Sequence, residues 1–288
     1  MSRLPLAELA SVASEAAREA AGLIADWSGR NVTAEYKPGG DSPASQVVTK
    51  VDRLSQACIL RHLQPVQQQY DLGLLTEEQD DDGSRREKEA FWCIDPLDGT
   101  QPFLEGTPGC AVSIALVARD GNPLIGVVCD PATGQLVRAW RGGGVGTSGF
   151  TEPRSESSST LNLFADRSLA DQPHYEVTIN QLERIARELG CDGLEVDLSA
   201  GAVINGLRVM AHPPACYFKL PRRRLGGGSL WDYAAIACIF QESGLVACDM
   251  TGQALDLNRP DSTFLNHRGI LFATDQSLTD QLLQLHAG

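Results

Sequence analysis

A chain of 288 residues with 42% hydrophobic and 21% charged side chains is long enough for one large domain or two ordinary lobes, and it lacks the bias of a fibrous or disordered protein. Its net charge of −13 sets the surface against nucleic acid and anionic lipid, which engage basic patches first. A small anionic metabolite is repelled too, so a site for one needs bound cations to reverse the sign locally.

Leu9, Val12, Ala16, Ala20, Leu23 and Trp27 recur at helical spacing and predict an N-terminal helix packed on the core. Glu8, Glu15 and Arg18 interrupt it, and no apolar run approaches the ~18 residues of a membrane span. Neither a span nor a signal peptide is expected, and a cytoplasmic location follows. A Gly/Pro/Ser-containing loop over 37–45 leads to a second helix over 52–63. Leu74 and Leu75 then deliver Thr76, Glu77 and Glu78 to a loop, and the charged stretch 80–89 reads as solvated.

From Phe91 the pattern turns to strands, over 91–94, 111–117 and 124–129. The glycines at 142–144 and the polar window 151–160 put a lobe boundary near residue 150, dividing the chain into 1–150 and 151–288. Helices are expected over 175–189 and 231–242, and strands over 245–248 and 270–273. The chain is mixed α and β, without internal repeats. Its eight cysteines form no C-x-x-C pair and read as reduced core residues.

The most informative segment is Asp95, Pro96, Leu97, Asp98, Gly99 and Thr100, directly after a strand-like run. The proline fixes the backbone, the glycine permits close approach, and the two carboxylates and the Leu97 carbonyl are hard oxygen donors. If Gly99 and Thr100 open a helix, their amides can cradle a phosphate. Read alone, the same residues also suit a surface turn. Asp232 follows Trp231 at the head of an Ala-rich helix, where the helix dipole alone favours an acid.

Taken together, the Glu77, Glu78 pair, the 95–100 segment, and Trp231, Asp232 with Glu242, Ser243 and Gly244 resemble, in order and spacing, the signatures of the inositol monophosphatase superfamily. The likeness covers roughly residues 37–273, with little of it in 151–200. It implies an α/β sandwich of alternating helix and sheet layers, with metals where two lobes meet. It also implies that Glu77, Asp95 and the Leu97 carbonyl hold one Mg²⁺, that Asp95, Asp98 and Asp232 hold a second, and that two or three ions act in all. Asp52 matches a further acid near the attacking water, and Thr100, supported by Asp52 or Glu77, is the group expected to orient that water for in-line attack on phosphorus. Thr76 departs from the Gly or Ser usual before the acid pair and leaves Glu78 as the alternative ligand to Glu77. Inhibition by lithium is a further implication, and a homodimer is left open.

Lys219 with Arg222, Arg223 and Arg224 forms a basic run in an acidic chain, suited either to clamping a second phosphate or to a solvated loop. Inositol-specific relatives carry an acid seven positions before the helix Asp, where this chain has Leu225. That difference and the tail through Leu255, Asp256, Leu257 and residues 262–266 resemble the bacterial 3′(2′),5′-bisphosphate nucleotidase branch, which implies adenosine 3′,5′-bisphosphate as substrate. The rivals are a sugar or polyol monophosphatase and a non-catalytic protein on the same fold. The D-x-x-D spacing argues against an aspartyl-phosphate mechanism. Gly226, Gly227 and Gly228 lack the Lys and Ser/Thr of a P-loop and read as a flexible loop, and the five histidines show no ligand spacing.

Overall fold

The computed structural model describes residues 4–30, 34–36, 47–148 and 159–285. The expected loop over 37–45, most of the boundary window 151–160, and His286 lie outside the described residues. Small side chains shape the N-terminal helix α1 (Leu6–Trp27), whose buried stripe includes Ala10, Ala13, Ala17 and Ala20 beside Leu9 and Ile24. So slim a stripe admits close packing by α2 (Lys50–Gln69). This second helix outruns its expected end and continues through Pro65, forgoing one backbone hydrogen bond. Between the two helices, β1 (Ala34–Tyr36) pairs antiparallel with β2 (Val47–Thr49).

The first large sheet holds β3 (Gly73–Thr76), β4 (Ala90–Asp98), β5 (Ala111–Ala118), β6 (Pro123–Cys129), β7 (Leu136–Trp140) and β8 (Gly144–Ser148), side by side in chain order. Only the β3–β4 pair is parallel. Short helices α3 (Ser84–Glu87) and α4 (Thr100–Glu105) flank β4 in sequence. The second sheet runs β10 (Gly193–Asp197), β9 (Thr160–Phe164), β11 (Ala215–Lys219), β13 (Ile270–Ala273) and β12 (Val246–Cys248), with its first three strands parallel.

Helices α1 and α2 cover the outer face of the first sheet, and α6 (Ala202–Ala211) and α7 (Leu230–Ser243) lie between the sheets. Helices α5 (Tyr175–Glu188) and α8 (Gln276–Leu282) back the second sheet. The layers therefore alternate as expected. One apolar core joins Phe91 and Val128 of the first sheet to Tyr217 and Phe272 of the second through α7. Helix α7 rests directly on β6, because a Cβ at Gly126 would come within 2.2 Å of the Ala235 carbonyl oxygen. Among the described residues no helix is long and apolar enough to cross a membrane.

The stretch 80–89 is not uniformly solvated. Arg85 is 2% exposed, and its guanidinium donates to Asp81 Oδ2 at 2.7 Å, Asn258 Oδ1 at 2.6 Å and the Arg259 carbonyl at 2.9 Å. Asn258 returns hydrogen bonds to the Arg85 and Arg119 carbonyls. A charge run hides this because two of the three partners, Asn258 and Arg259, lie more than 170 positions away. All eight cysteines are free, seven of them buried and Cys191 partly so.

Candidate metal and phosphate site

In a regular strand, residues three apart face opposite sides, so Asp95 and Asp98 should diverge. The β4–β5 register corrects this: Asp95 stands opposite Ser113 and Asp98 opposite Ala111, three positions against two, which marks a bulge between the two acids. The two carboxylates converge, and Asp232 of α7 meets them with one oxygen of each within 4.8 Å of the others.

Each acid is fixed by backbone donors. Asp95 Oδ1 accepts the Leu97 N–H at 3.0 Å. Asp98 accepts the N–H groups of Ala202 at 3.2 Å and Val203 at 2.9 Å, at the open end of α6. Gly201 makes that approach feasible, since a Cβ there would stand 2.4 Å from Asp98 Oδ2. Asp232 belongs to a capping box: its Oδ2 accepts the Ser229 N–H at 2.8 Å while the Ser229 side chain accepts from the Asp232 backbone. The acid-at-helix-start reading is thus met, and the same side chain still reaches the other two acids.

Burial and mutual repulsion act together here. Burial first, then the charges of Glu77, Asp98 and Asp232, push the Asp95 carboxyl well above its usual range, and burial with Asp232 does the same to Asp98. Burial raises Asp232 to about 6, with the Lys219 ammonium opposing. Two buried carboxylates and the half-buried Asp232 confronting one another form a site that a hard divalent cation satisfies, and their oxygen donors fit Mg²⁺.

Glu77 lies just past β3, its N–H donating to the Ile94 carbonyl at 3.2 Å, and its charge is felt at Asp95. The unusual Thr76 is buried and donates to Gln56 Oε1 of α2 at 2.5 Å, an anchor for the chain entering Glu77. Gly99, at φ 77°, caps α4, and Thr100 opens it. The Thr100 hydroxyl lies 3.4 Å from both Asp52 Oδ1 and the Leu97 carbonyl, and Asp52 is buried in the first turn of α2. Thus Asp52, the Leu97 carbonyl and Thr100 meet at one point beside the acidic cluster.

The basic run divides. Lys219 Nζ pairs with Asp166 Oδ2 at 2.5 Å and lies over the Tyr233 ring. Burial works against its charge, but Asp166 outweighs that and holds the ammonium protonated. Arg223 and Arg224 are exposed, and the Asn266 side-chain amide ties down the Arg222 and Arg224 carbonyls at 3.1 Å each. Gly226, Gly227 and Gly228 all have positive φ, and Gly228 packs against Tyr233, whose hydroxyl donates to the Gly227 carbonyl at 2.9 Å. They form a built turn rather than a flexible loop. Sequence reasoning missed Asp166, whose two oxygens take Lys219 and the Tyr217 hydroxyl and whose charge reaches Asp98 and Asp232. It also missed Gly201, although the small residues Ser199, Ala200, Gly201 and Ala202 before an apolar run were a readable helix start.

A model of the inositol monophosphatase family matches residues 5–287. A histidinol-phosphatase of Chlorobaculum parvum is 30% identical over 246 residues, covering 83% of this chain and 91% of that protein. The Nus factor SuhB of Escherichia coli is 27% identical over 247 residues, covering 84% and 85%. Among solved structures, CysQ from Bacteroides thetaiotaomicron superposes with a TM-score of 0.71 at 21% identity, over 95% of this chain and all of that one, and shares the fold.

Proposed function

From the premise that this chain belongs to the inositol monophosphatase family and is a magnesium-dependent phosphatase, we propose that it removes a phosphate from a small metabolite carrying a second anionic group, with adenosine 3′,5′-bisphosphate as the first candidate. The observation that carries the phosphatase reading is the convergence of buried Asp95 and Asp98, across the β4 bulge, with half-buried Asp232. The finer reading is supported by Arg222, Arg223 and Arg224, whose backbone Asn266 orders just before the helix bearing Asp232. In an otherwise repulsive field, such a cluster favours a second phosphate.

In this proposal Glu77, Asp95, Asp98, Asp232 and the Leu97 carbonyl would hold the Mg²⁺ ions, two or three in number. Bound there, the ions supply charge neutralisation and polarise the phosphoryl group. The Thr100 hydroxyl, aimed between Asp52 and the Leu97 carbonyl, orients the attacking water, and Glu77 or Asp52 accepts its proton. At 3.4 Å these contacts are longer than a settled hydroxyl bond and tighten when water and substrate arrive. The amides of Gly99 and Thr100 donate to phosphate oxygens as the ester P–O bond breaks in line with the new one. The proposal further divides the chain into a metal-holding lobe up to about residue 150 and a substrate lobe beyond it, and it includes a cytoplasmic location.

Histidinol phosphate is the second reading, favoured by the 30% identical relative. Phosphate release with Mg²⁺ from adenosine 3′,5′-bisphosphate, histidinol phosphate, myo-inositol 1-phosphate, fructose 1,6-bisphosphate and AMP distinguishes them, with Asp95→Asn as control. Preference for the nucleotide bisphosphate, weakened by Arg223→Ala and Arg224→Ala through KM, supports the clamp. Preference for histidinol phosphate or a sugar phosphate keeps the metal site and discards the clamp. No release from any substrate sinks both.

A further inference from the structure

Away from the acidic site, α1 and α2 assemble a different set of donors. Cys58 and His62 are four apart on α2 and share one face, with Glu19 of α1 opposite them. One ligand atom from each lies within 4.8 Å of the other two. The Glu19 carboxylate meets His62 Nε2 at 2.6 Å and pairs with Arg61 through its other oxygen, while Arg61 Nη2 lies 3.6 Å from Cys58 Sγ. Cys58 is buried at the floor, whereas the Glu19 side chain is half exposed, so the cluster opens to solvent on one side.

We propose that Glu19, Cys58 and His62 form a second cation site, selective for a borderline divalent ion such as Zn²⁺, that staples α1 to α2. A sulfur, a nitrogen and an oxygen donor suit Zn²⁺ and not Mg²⁺, which keeps to oxygen. Bonds of ~2.0–2.3 Å to each donor require the Glu19 and His62 side chains to part and turn onto the ion beside Cys58, and water completes the tetrahedron. Binding releases the Cys58 proton to solvent, because the thiolate is the ligand. Burial raises that thiol in the protein without the ion, so the staple forms at the expense of a proton rather than on a ready thiolate. Arg61, 64% exposed, turns away from Glu19, a surface pairing of little strength. The histidines have no ligand spacing among themselves; the spacing lies between Cys58 and His62.

The test is a Co²⁺ titration of the full chain, reduced and saturated with Mg²⁺. A near-ultraviolet thiolate-to-cobalt band that saturates at one equivalent and is displaced by Zn²⁺ is expected. Cys58→Ser removes the band. Glu19→Gln and His62→Ala, the latter at a half-buried position, each weaken binding about tenfold to a hundredfold, and Arg61→Ala strengthens it. Absence of the band, or its survival in Cys58→Ser, overturns the proposal. So does Zn²⁺ affinity unchanged in His62→Ala, which keeps the test open if the cysteine variant folds poorly.

Discussion

The Asp98 carboxylate accepts the Val203 backbone N–H at 2.9 Å, so an acid at the end of one sheet also caps the helix beneath the other. Its seat depends on Gly201, and Gly201→Ala drives a methyl group into Asp98 Oδ2. The expected outcome is a fall of about a hundredfold in kcat/KM, a raised Mg²⁺ requirement, and an unchanged circular dichroism spectrum. Steady-state kinetics against Mg²⁺ concentration checks this, and wild-type kinetics would show that the cap does not set the geometry.

The acids also govern stability. Burial and repulsion raise Asp95 and Asp98, and burial brings Asp232 to about 6, against an ordinary value of 3.8. The metal-free folded protein therefore holds protons that the unfolded chain has released, and these groups lose it stability as pH rises from about 4 through at least about 6. In EDTA the wild type should lose Tm relative to Asp95→Asn between about pH 5 and about pH 8, and Mg²⁺ should raise Tm more at the higher pH. Thermal scans of both proteins decide it; a relative Tm that climbs with pH contradicts the raised carboxyls.

Arg85 ties α3 to residues 258 and 259 from a buried position. Arg85→Met strands Asp81 and Asn258 and is expected to cost about 3–5 kcal/mol in urea unfolding. Arg85→Lys should not rescue it, because a single ammonium cannot reach the three oxygens that the guanidinium fork serves.

Lithium offers a probe of the second cation position. Millimolar Li⁺ is expected to inhibit Mg²⁺-dependent phosphate release, and full activity in its presence would remove that position from the mechanism.

Much of the fold was legible where periodicity ran long and local. The helices at α1, α5 and α7 and the strands at β5, β6 and β13 follow their hydrophobic patterns within a few residues. The short strands β7 and β8 were not foreseen, because Arg138 and the glycines at 142–144 blur their alternation. At the site, acid identities were readable from the 95–100 segment and Asp232, but the bulge that makes Asp95 and Asp98 converge is a property of pairing with β5. Asp166 was silent for a similar reason: its partners Tyr217 and Lys219 are more than 50 positions away and meet it only across the second sheet.

Helix α7 is wedged between two sheets, with Leu230 and an unbroken run from Tyr233 to Phe240 buried. A mutation there is judged twice, once by each sheet, so the helix that carries Asp232 has little freedom to drift. The exposed turn before it, with Arg223, Arg224 and Leu225, answers mainly to solvent. Substitutions in that turn can therefore accumulate while the helix that holds Asp232 is inherited intact.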